Sequence, residues 1–207
     1  VFRYAGVLRQ RYRGHRGRME IDLSFAGVSA HGSAPERGDN AIYHCARAAL
    51  GLEALNSQLA PDPFLGKGSV AVSRFRSTAP SLCAVADGAD IHIDRRLTWG
   101  ETRESVLAEI GRLVKSIGQE AAESDQAAPG RPRIAVSYYD RPTYTGLSYG
   151  QESYFPTWKI EEDHPLVGAG VRTFGELFSQ SPTVDKWTFS TNGVAICGNH
   201  GIPTIGF

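Results

Sequence analysis

Four segments of the chain alternate apolar and polar residues with a period of two, which is the pattern of a strand that buries one face. The clearest is residues 19–25, in which Met19, Ile21, Leu23 and Phe25 are apolar and the residues between them are polar. The pattern predicts strands that share one hydrophobic core. Three more such segments lie at 67–75, 89–97 and 134–138.

Two segments between these strands carry apolar residues at helical spacing, at 42–52 and at 106–117. The elements therefore follow the order β-α-β-β-α-β over about residues 19–145. This order is that of the ferredoxin-like arrangement, in which we expect a four-stranded antiparallel sheet with two helices on one face. The fold class predicted from the pattern is α/β, or more narrowly α+β.

Short polar side chains mark the start of both predicted helices. Asp39 or Asn40 can cap the first, because a side-chain oxygen there accepts a free N–H group of the first turn. Thr98 and Glu101 predict a capping box before the second.

The last sixty or so residues follow a different pattern. Pro165 predicts the first turn of a helix, where its missing N–H does no harm, and two strand-like pieces follow at 186–189 and 203–207. These elements cannot close a doubly wound sheet, so we expect an incomplete α/β segment. We divide the chain into a connecting segment (1–18), the ferredoxin-like domain (19–147) and this segment (148–207). The chain begins with Val1, and we expect it to be a fragment.

Composition narrows the classes of protein that fit. The 207 residues contain 22 Lys and Arg and 22 Asp and Glu, and a net charge of zero argues against a dedicated nucleic-acid-binding protein. No apolar run approaches the ~18 residues of a membrane span, and residues 1–10 lack the apolar core of a signal peptide. Cys45, Cys83 and Cys197 are far apart and odd in number, which disfavours a disulfide framework and fits a cytoplasmic protein.

The most informative motif is the loop between the first predicted strand and the first predicted helix. It reads Gly-Val-Ser-Ala-His-Gly-Ser-Ala-Pro-Glu-Arg-Gly-Asp-Asn-Ala-Ile over 27–42 and surrounds His31 with small residues. Small neighbours leave an imidazole accessible and allow another backbone to approach it. His31 is therefore a candidate catalytic residue, although a loop histidine is more often a plain exposed side chain.

This loop resembles the lid domain of the di-zinc amidohydrolase and exopeptidase family, which includes acetylornithine deacetylase, succinyl-diaminopimelate desuccinylase and carboxypeptidase G. The family signature, Gly-x-x-x-His-x-(Ser/Ala)-x-Pro-x-x-Gly-x-Asn-Ala, is met at every position. Residues 94–101, 163–165 and 190–203 are similar to later family motifs in the same order. The phrases at 13–19 and 184–193 look like the branch of unassigned peptidases and selenium-metabolism hydrolases.

The resemblance implies a lid and dimerisation domain at 19–147 and part of a catalytic domain at 148–207. In that family two zinc ions polarise the amide carbonyl and a bridging water, and a glutamate is the general base. The resemblance implies that His31, delivered across a dimer, donates to the oxyanion, that Arg96 holds the substrate carboxylate and that Asn192 lines the substrate pocket. It also implies a homodimer formed through the lid and a small peptide or N-acyl amino acid as substrate. From the net charge and the lack of a long apolar run, we expect neither nucleic acid nor a membrane as partner.

The chain departs from the family in two respects. The metal ligands and the general base of the family lie before the lid and after a final Gly-Phe, and nothing in this chain matches them. We therefore expect zinc in the complete family enzyme, none bound by this chain, and no activity from the chain alone. The substrate-contacting Asn-x-x-Pro of the family is replaced by Cys-Ala-Val-Ala at 83–86.

Other clusters offer alternative sites. The stretch 161–164 is rich in possible ligands but is explained by acids at a helix N-terminus, and the arginines between residues 3 and 18 are expected to form a solvated arm. The polar faces of two predicted strands are a possible metal site, or more simply the wet face of an antiparallel sheet. Those faces carry Glu20, Asp22, Asp90, His92 and Asp94.

Two other functions stay open beside a hydrolase. A ferredoxin-like sheet can serve as a non-enzymatic dimerisation or small-ligand-binding module, because an exposed edge strand can pair with its copy. An RNA-binding sheet needs aromatic residues on its open face, whereas this face is acidic, so we discount it. Measurements of bound metal and of hydrolytic activity would distinguish the non-enzymatic module from an enzyme.

Overall fold

The computed structural model describes residues 10–122 and 126–206. This part of the chain contains the helices α1 (Ala41–Gln58), α2 (Arg103–Ser116) and α3 (Pro165–Phe178). None of the three combines the length and the apolar composition that crossing a bilayer requires. The strands are, in chain order, β1 (Gln10–His15), β2 (Gly17–Ala26), β3 (Pro61–Asp62), β4 (Gly66–Lys67), β5 (Ser69–Thr78), β6 (Gly88–Leu97), β7 (Arg133–Val136), β8 (Tyr138–Tyr139), β9 (Gln151–Glu152), β10 (Tyr154–Phe155), β11 (Trp158–Lys159) and β12 (Thr183–Trp187).

Strands β2 and β6 form the centre of the main sheet. They pair antiparallel along their whole length, from Gly17 opposite Leu97 to Ala26 opposite Gly88. β5 pairs with the outer edge of β6, while the other edge of β2 pairs with β7 and, nearer its start, with β10. All these pairs are antiparallel, so the predicted four-stranded antiparallel sheet is confirmed. Its order is β7–β2–β6–β5, and β10 pairs with the same edge of β2 as β7 does.

One face of the main sheet is apolar and carries α1 and α2. The inward residues of β2 are the predicted ones, Met19, Ile21, Leu23 and Phe25, and all four are buried. Full burial of such a side chain contributes about 1.5–3 kcal/mol, so this layer is the main source of stability in the region. The helices add Ala41, Cys45, Ala48 and Leu52 from α1 and Val106, Ile110 and Val114 from α2.

The helix starts agree only partly with the sequence pattern. Asn40 caps α1, because its Oδ1 accepts an N–H of the first turn at 3.0 Å. The capping box predicted from Thr98 and Glu101 is wrong, since α2 has Thr102 as its N-cap and Ser105 as the reciprocal partner. Glu101 instead accepts the N–H of Thr98 at 2.5 Å and closes the turn that precedes the helix.

The second, smaller sheet joins the start of the described chain to its end. β1 pairs parallel with β12 and antiparallel with β11, so residues 10–15 of the predicted connecting segment form a strand with the tail. The strand predicted at 186–189 is observed slightly earlier, as β12. The strand predicted at 203–207 is wrong: over the described residues 203–206 only Gly206 forms a bridge, to Tyr12, and Phe207 lies outside the described residues.

The arginines of β1 do not form the solvated arm that the sequence predicts. Arg11 is 6% exposed and lies over the ring of Phe174 in α3, 4.1 Å from its centroid. Arg13 lies over the ring of Phe64 at 3.7 Å. A guanidinium is weakly hydrated and stacks well on aromatic rings, so these side chains pack the second sheet. The earlier arginines, Arg3 and Arg9, lie outside the described residues.

The chain passes twice between the two sheets, from β1 to β2 and from β10 to β11. Thr157 lies in the second crossing and is linked to the first, because its hydroxyl accepts the Gly17 N–H at 3.0 Å. The same hydroxyl donates to the Leu97 carbonyl at the end of β6, at 3.1 Å. A Cβ on Gly17 would lie 2.6 Å from the carbonyl oxygen of Phe155, so a larger residue would force the strands apart. The start of β2 and the end of β6 are therefore held beside the second sheet.

Candidate functional site

The loop that carries His31 extends the strand pairing beyond the far end of the main sheet. It runs alongside residues 83–87, the stretch that includes the Cys-Ala-Val-Ala of the sequence. Backbone contacts thus hold the loop in place and leave its side chains free to face outward. Three hydrogen bonds of 2.7–2.8 Å make the connection: Gly27 N–H to Asp87 O, Val85 N–H to Ala30 O and Gly32 N–H to Cys83 O.

The glycines of this loop are required by close backbone approach. A Cβ on Gly32 would lie 2.7 Å from the carbonyl oxygen of Cys83, and a Cβ on Gly38 would lie 2.6 Å from that of Val28. Such distances are too short for any side chain without moving backbone. The glycines of the motif therefore allow the loop to fold against residues 83–87 with His31 at its tip.

The exposed ring of His31 is oriented by one neighbour. The Ser33 N–H donates to Nδ1 at 3.2 Å, and the Ser33 hydroxyl lies 2.8 Å from the same atom. Because Nδ1 accepts a backbone N–H, the neutral ring carries its proton on Nε2. Nε2 has no hydrogen-bond partner within residues 10–122 and 126–206. His31 therefore presents an N–H donor to the solvent.

Arg96 lies on the open face of the main sheet, opposite the helices. Its Nη2 donates to Oδ2 of Asp94 at 2.8 Å, and its Nε lies 2.8 Å from Oδ1. The Asp94 carboxylate thus occupies two nitrogens of the guanidinium in the way that a ligand carboxylate would. Both side chains remain partly exposed, so the pair is accessible from outside.

Arg95, the neighbour of Arg96, is not anticipated by the alternation of β6. It is fully buried at an inward position where an apolar residue is expected. Its guanidinium pairs with Glu101 and with Glu109, the latter at 3.2 Å, and donates to the carbonyl oxygen of Arg96 at 2.6 Å. These bonds fix the end of β6, and with it the backbone of Arg96, to α2.

Asn192 is exposed in a tight turn that leads into the π-helical turn Val194–Asn199. The residue before it, Thr191, donates its N–H to Nδ1 of His15 at 2.8 Å. The residue after it, Gly193, lies against Trp158, where a Cβ would come within 2.6 Å of the indole ring. The turn is therefore held on both sides of Asn192.

His15 is the residue of this region that sequence reasoning missed. It is fully buried, and its Nε2 lies 3.4 Å from the carbonyl oxygen of Pro156. Burial lowers the pKa of His15 to about 4, a shift only partly offset by the hydrogen bond to Pro156, so the ring is neutral at pH 7. No periodicity marks this position, since the neighbouring residues are arginines and glycines.

The predicted site residues lie at two ends of the main sheet. Arg96 pairs with Arg18 near the start of β2, beside the second sheet that carries Asn192, whereas the loop of His31 leaves β2 after Ala26. The stretch from residue 18 to residue 26 spans about 26 Å at about 3.3 Å per residue. Within one protomer, therefore, the structure brings Arg96 and Asn192 to the same end and does not bring His31 to them.

The acidic residues of the open face are engaged in ion pairs. Arg74 lies 3.2 Å from Asp22 and 3.1 Å from Asp90, and Nδ1 of His92 lies 2.8 Å from Asp22. Burial by itself would raise the pKa of Asp22, but hydrogen bonds from Ser137 and His92 and the nearby positive charges outweigh it and lower that pKa. The face is thus a paired network rather than a set of free ligands.

The acidic stretch at 161–164 is divided among separate contacts. His164 caps α3, since its Nδ1 accepts the N–H of Leu166 at 3.1 Å, while Glu161 and Glu162 pair with Lys159 and Arg13 at 3.5 Å each. Across residues 10–122 and 126–206, no three His, Cys, Asp or Glu side chains are grouped so that they could hold a metal ion. The described residues therefore do not fit the two-zinc site that the resemblance implies.

Comparison with known proteins places these features in a family. Residues 13–122 match the M20 family model described as a peptidase dimerisation domain. The uncharacterized protein YgeY of Escherichia coli (strain K12) is 54% identical over 198 residues, which cover 96% of this chain and 46% of YgeY. The chain thus spans about half the length of this curated relative.

Solved structures show the same fold at low sequence identity. Aminopeptidase PepT from Bacillus cereus ATCC 10987 is 18% identical with a TM-score of 0.63, and the match covers 95% of this chain and 44% of PepT. The M20 family metallo-carboxypeptidase Sso-CP2 from Sulfolobus solfataricus is 12% identical with a TM-score of 0.63, over 95% of this chain and 51% of Sso-CP2.

Proposed function

The chain belongs to the M20 peptidase family, and from this membership we propose that it supplies the dimerisation domain and part of the catalytic domain of a metal-dependent hydrolase. The bond cleaved is an amide or peptide bond next to a carboxylate-bearing residue, so the substrate is a small peptide or an N-acyl amino acid. The chain contributes groups that bind and polarise this substrate.

His31 is the donor to the oxyanion. Its Nε2–H is held ready by the Ser33 N–H on the opposite ring nitrogen and is open to solvent. A donor fixed before the reaction stabilises the charge that develops on the carbonyl oxygen without reorganising at the moment of attack. The loop, whose glycines lie close to neighbouring backbone, places this donor at an exposed position from which it can contact a substrate.

Arg96 is the group that recognises the carboxylate of the substrate. The bond to Asp94 keeps the guanidinium oriented, and Nη1, which has no partner within the described residues, is available to a second carboxylate. Charge-assisted bonds of this kind are about twice as strong as neutral ones. Asn192 adds an amide at the same end of the main sheet.

The metal chemistry falls outside the described residues. The family is metal-dependent, but no group of side chains in the described part of the chain fits a metal ion. Residues of a longer protein would supply the ligands and the general base. After zinc loading and desalting, the 207-residue chain should retain close to no zinc, and two bound ions per chain would contradict this assignment.

The proposal that two protomers build each site rests on one observation. The loop of His31 leaves β2 after Ala26, about 26 Å along the strand from the end that holds Arg96 and Asn192, which is too far for one small substrate to touch both in a single protomer. In a dimer with two-fold symmetry, the loop of one protomer can reach the Arg96 end of its partner, and the reverse contact forms by symmetry.

Mixed dimers test this arrangement in the longer, zinc-loaded protein. His31→Ala should lower turnover by about 10²–10³, the cost of one oxyanion donor, and Arg96→Ala should raise KM. Exchanging subunits between the two variants yields mixed dimers in which one site carries both substitutions and the other carries none. About half the dimers are mixed by chance, so at substrate concentrations far below the raised KM about a quarter of wild-type activity should return.

The matched control mixes His31→Ala with His31→Gln, which restores no intact site and should recover nothing. If His31 and Arg96 serve the same protomer, the first mixture also recovers nothing, and the shared site is refuted. A longer protein that dimerises but hydrolyses no dipeptide or N-acyl amino acid would instead be the non-enzymatic module.

A further inference from the structure

His15 is a buried, titratable side chain to which the proposed reaction gives no part. It is the last residue of β1 and lies directly before the crossing into the main sheet. Its ring packs against Trp158 with the ring centroids 5.3 Å apart. An apolar side chain could pack here too, but it could not satisfy the two polar backbone groups that the imidazole nitrogens meet.

Those nitrogens bond to two segments that are distant in the chain. Nδ1 accepts the Thr191 N–H at 2.8 Å and lies 3.2 Å from the Thr191 hydroxyl, while Nε2 faces the carbonyl oxygen of Pro156 at 3.4 Å. Because Nδ1 is the acceptor, Nε2 carries the proton and is the donor toward Pro156. One tautomer therefore satisfies both partners.

Thr191 in turn organises the segment that follows it. Its hydroxyl accepts the Gly193 N–H at 3.3 Å, and its carbonyl oxygen accepts the Val194 N–H at 3.1 Å. Two of the hydrogen bonds that shape the turn around Asn192 are thus accepted by the residue that His15 holds. The Asn192 side chain itself is exposed and is positioned only through this backbone.

We propose that His15 is a positioning residue: by accepting the Thr191 N–H at Nδ1, it fixes the turn at 190–193 and sets where the amide of Asn192 meets the substrate. The anchoring of the turn stands on the geometry alone. The consequence for substrate rests on the proposed function, and the two are tested separately.

Two amide substitutions separate the acceptor from the bulk of the ring. In His15→Asn the side-chain oxygen can occupy the place of Nδ1, whereas in His15→Gln the amide reaches the place of Nε2 and leaves the Thr191 N–H without an acceptor. Both variants lose the aromatic packing, so both should have similarly lowered melting temperatures. A merely structural role would not distinguish them.

Hydrogen exchange of the Thr191 amide in the 207-residue chain is the first measurement. Exchange should be about tenfold faster in His15→Gln than in the unmodified chain, as expected for the loss of one hydrogen bond, and close to the unmodified rate in His15→Asn. Equal exchange rates in the two variants would overturn the proposal.

Kinetics in the longer, zinc-loaded protein are the second measurement. His15→Gln should raise KM to the extent that Asn192→Ala does, with little change in kcat, and should add nothing further in the Asn192→Ala background. If Asn192→Ala leaves KM unchanged while the exchange pattern holds, His15 still anchors the turn, and it is the role of Asn192 in the proposed function that fails.

Discussion

The two sheets of this chain are stabilised in different ways. The main sheet closes its apolar face with α1 and α2, and its central residues are fully buried. The second sheet buries fewer apolar side chains, and Leu177 of the helix α3 beside it is 71% exposed. The second sheet is held instead by specific contacts, such as the stack of Tyr12 on Trp187 at 3.6 Å and the bonds of His15 to Thr191. One region depends on buried area, and the other depends on a few oriented groups.

The largest expected effect is in the core of the main sheet. Ile93→Ala removes a fully buried side chain at the centre of β6 and should lower the free energy of unfolding by about 2–5 kcal/mol, as measured by urea denaturation. The matched control is Leu177→Ala in the second region, which should change it by less than about 0.5 kcal/mol. Similar losses in the two variants would show that burial of Ile93 is not what stabilises the main sheet.

The second expected effect is a pH dependence that belongs to the second sheet. The unfolded chain protonates His15 near pH 6.5, whereas the folded chain does so only near pH 4, so the unfolded state binds more protons in this window. Stability should therefore fall by about 3 kcal/mol as the pH drops from 7 to 4. The lowered pKa of Asp22 in the main sheet contributes a loss of stability only at lower pH, below the ordinary carboxyl value of 3.8.

Urea denaturation at a series of pH values checks this difference, with His15→Asn as the control. That variant has no group that titrates at this position, so its stability should be nearly flat between pH 6.5 and 4. An equally steep loss in His15→Asn would show that other groups cause the acid sensitivity.

A smaller effect is expected where the loop of His31 enters α1. Asn40→Ala removes the side chain that accepts an N–H of the first turn and should cost about 1 kcal/mol in the free energy of unfolding. Asn40→Asp keeps an acceptor and should cost much less in the same thermal or urea measurement. A full loss in Asn40→Asp would mean that the amide group, and not the cap, is what stabilises this corner.

The smallest effect on stability is expected at His31 itself. The ring is exposed and, among the residues that the structure describes, bonds only to Ser33, so His31→Ala should change the free energy of unfolding by less than about 0.5 kcal/mol. The same change should reduce the turnover of the longer protein by about 10²–10³. A destabilisation of 2 kcal/mol or more would make His31 a structural residue, and the drop in turnover would then no longer indicate a catalytic role.

The period-two pattern predicted the main sheet well because one of its faces is apolar and the other is polar. Met19, Ile21 and Leu23 alternate with polar residues and are all buried. Helix α1 was expected from the spacing of its apolar residues alone. The period-two pattern failed at Arg95, because a buried guanidinium is stabilised by Glu101 and Glu109, which lie elsewhere in the chain. Local pattern carries no information about such partners.

The candidate site was predicted unevenly for the same reason. His31 and the glycines around it were indicated by the loop motif, and the structure explains those glycines by close backbone approach. The arginines of β1 were expected in solvent, but Arg11 and Arg13 pack against rings contributed by distant segments. No periodic pattern indicated the role of His15, since its partner Thr191 is 176 positions away.

The sequence by itself determined the family, the strands and helices of the main sheet, and the chemistry available at His31, Arg96 and Asn192. These follow from residue type and spacing within short windows, where backbone geometry repeats. Only the tertiary structure decided that His31 lies at one end of the sheet while Arg96 and Asn192 lie at the other, that residues 10–15 join the tail, and that His15 holds the turn of Asn192. Pairing between distant segments sets these positions, because it depends on which surfaces bury each other when the chain closes.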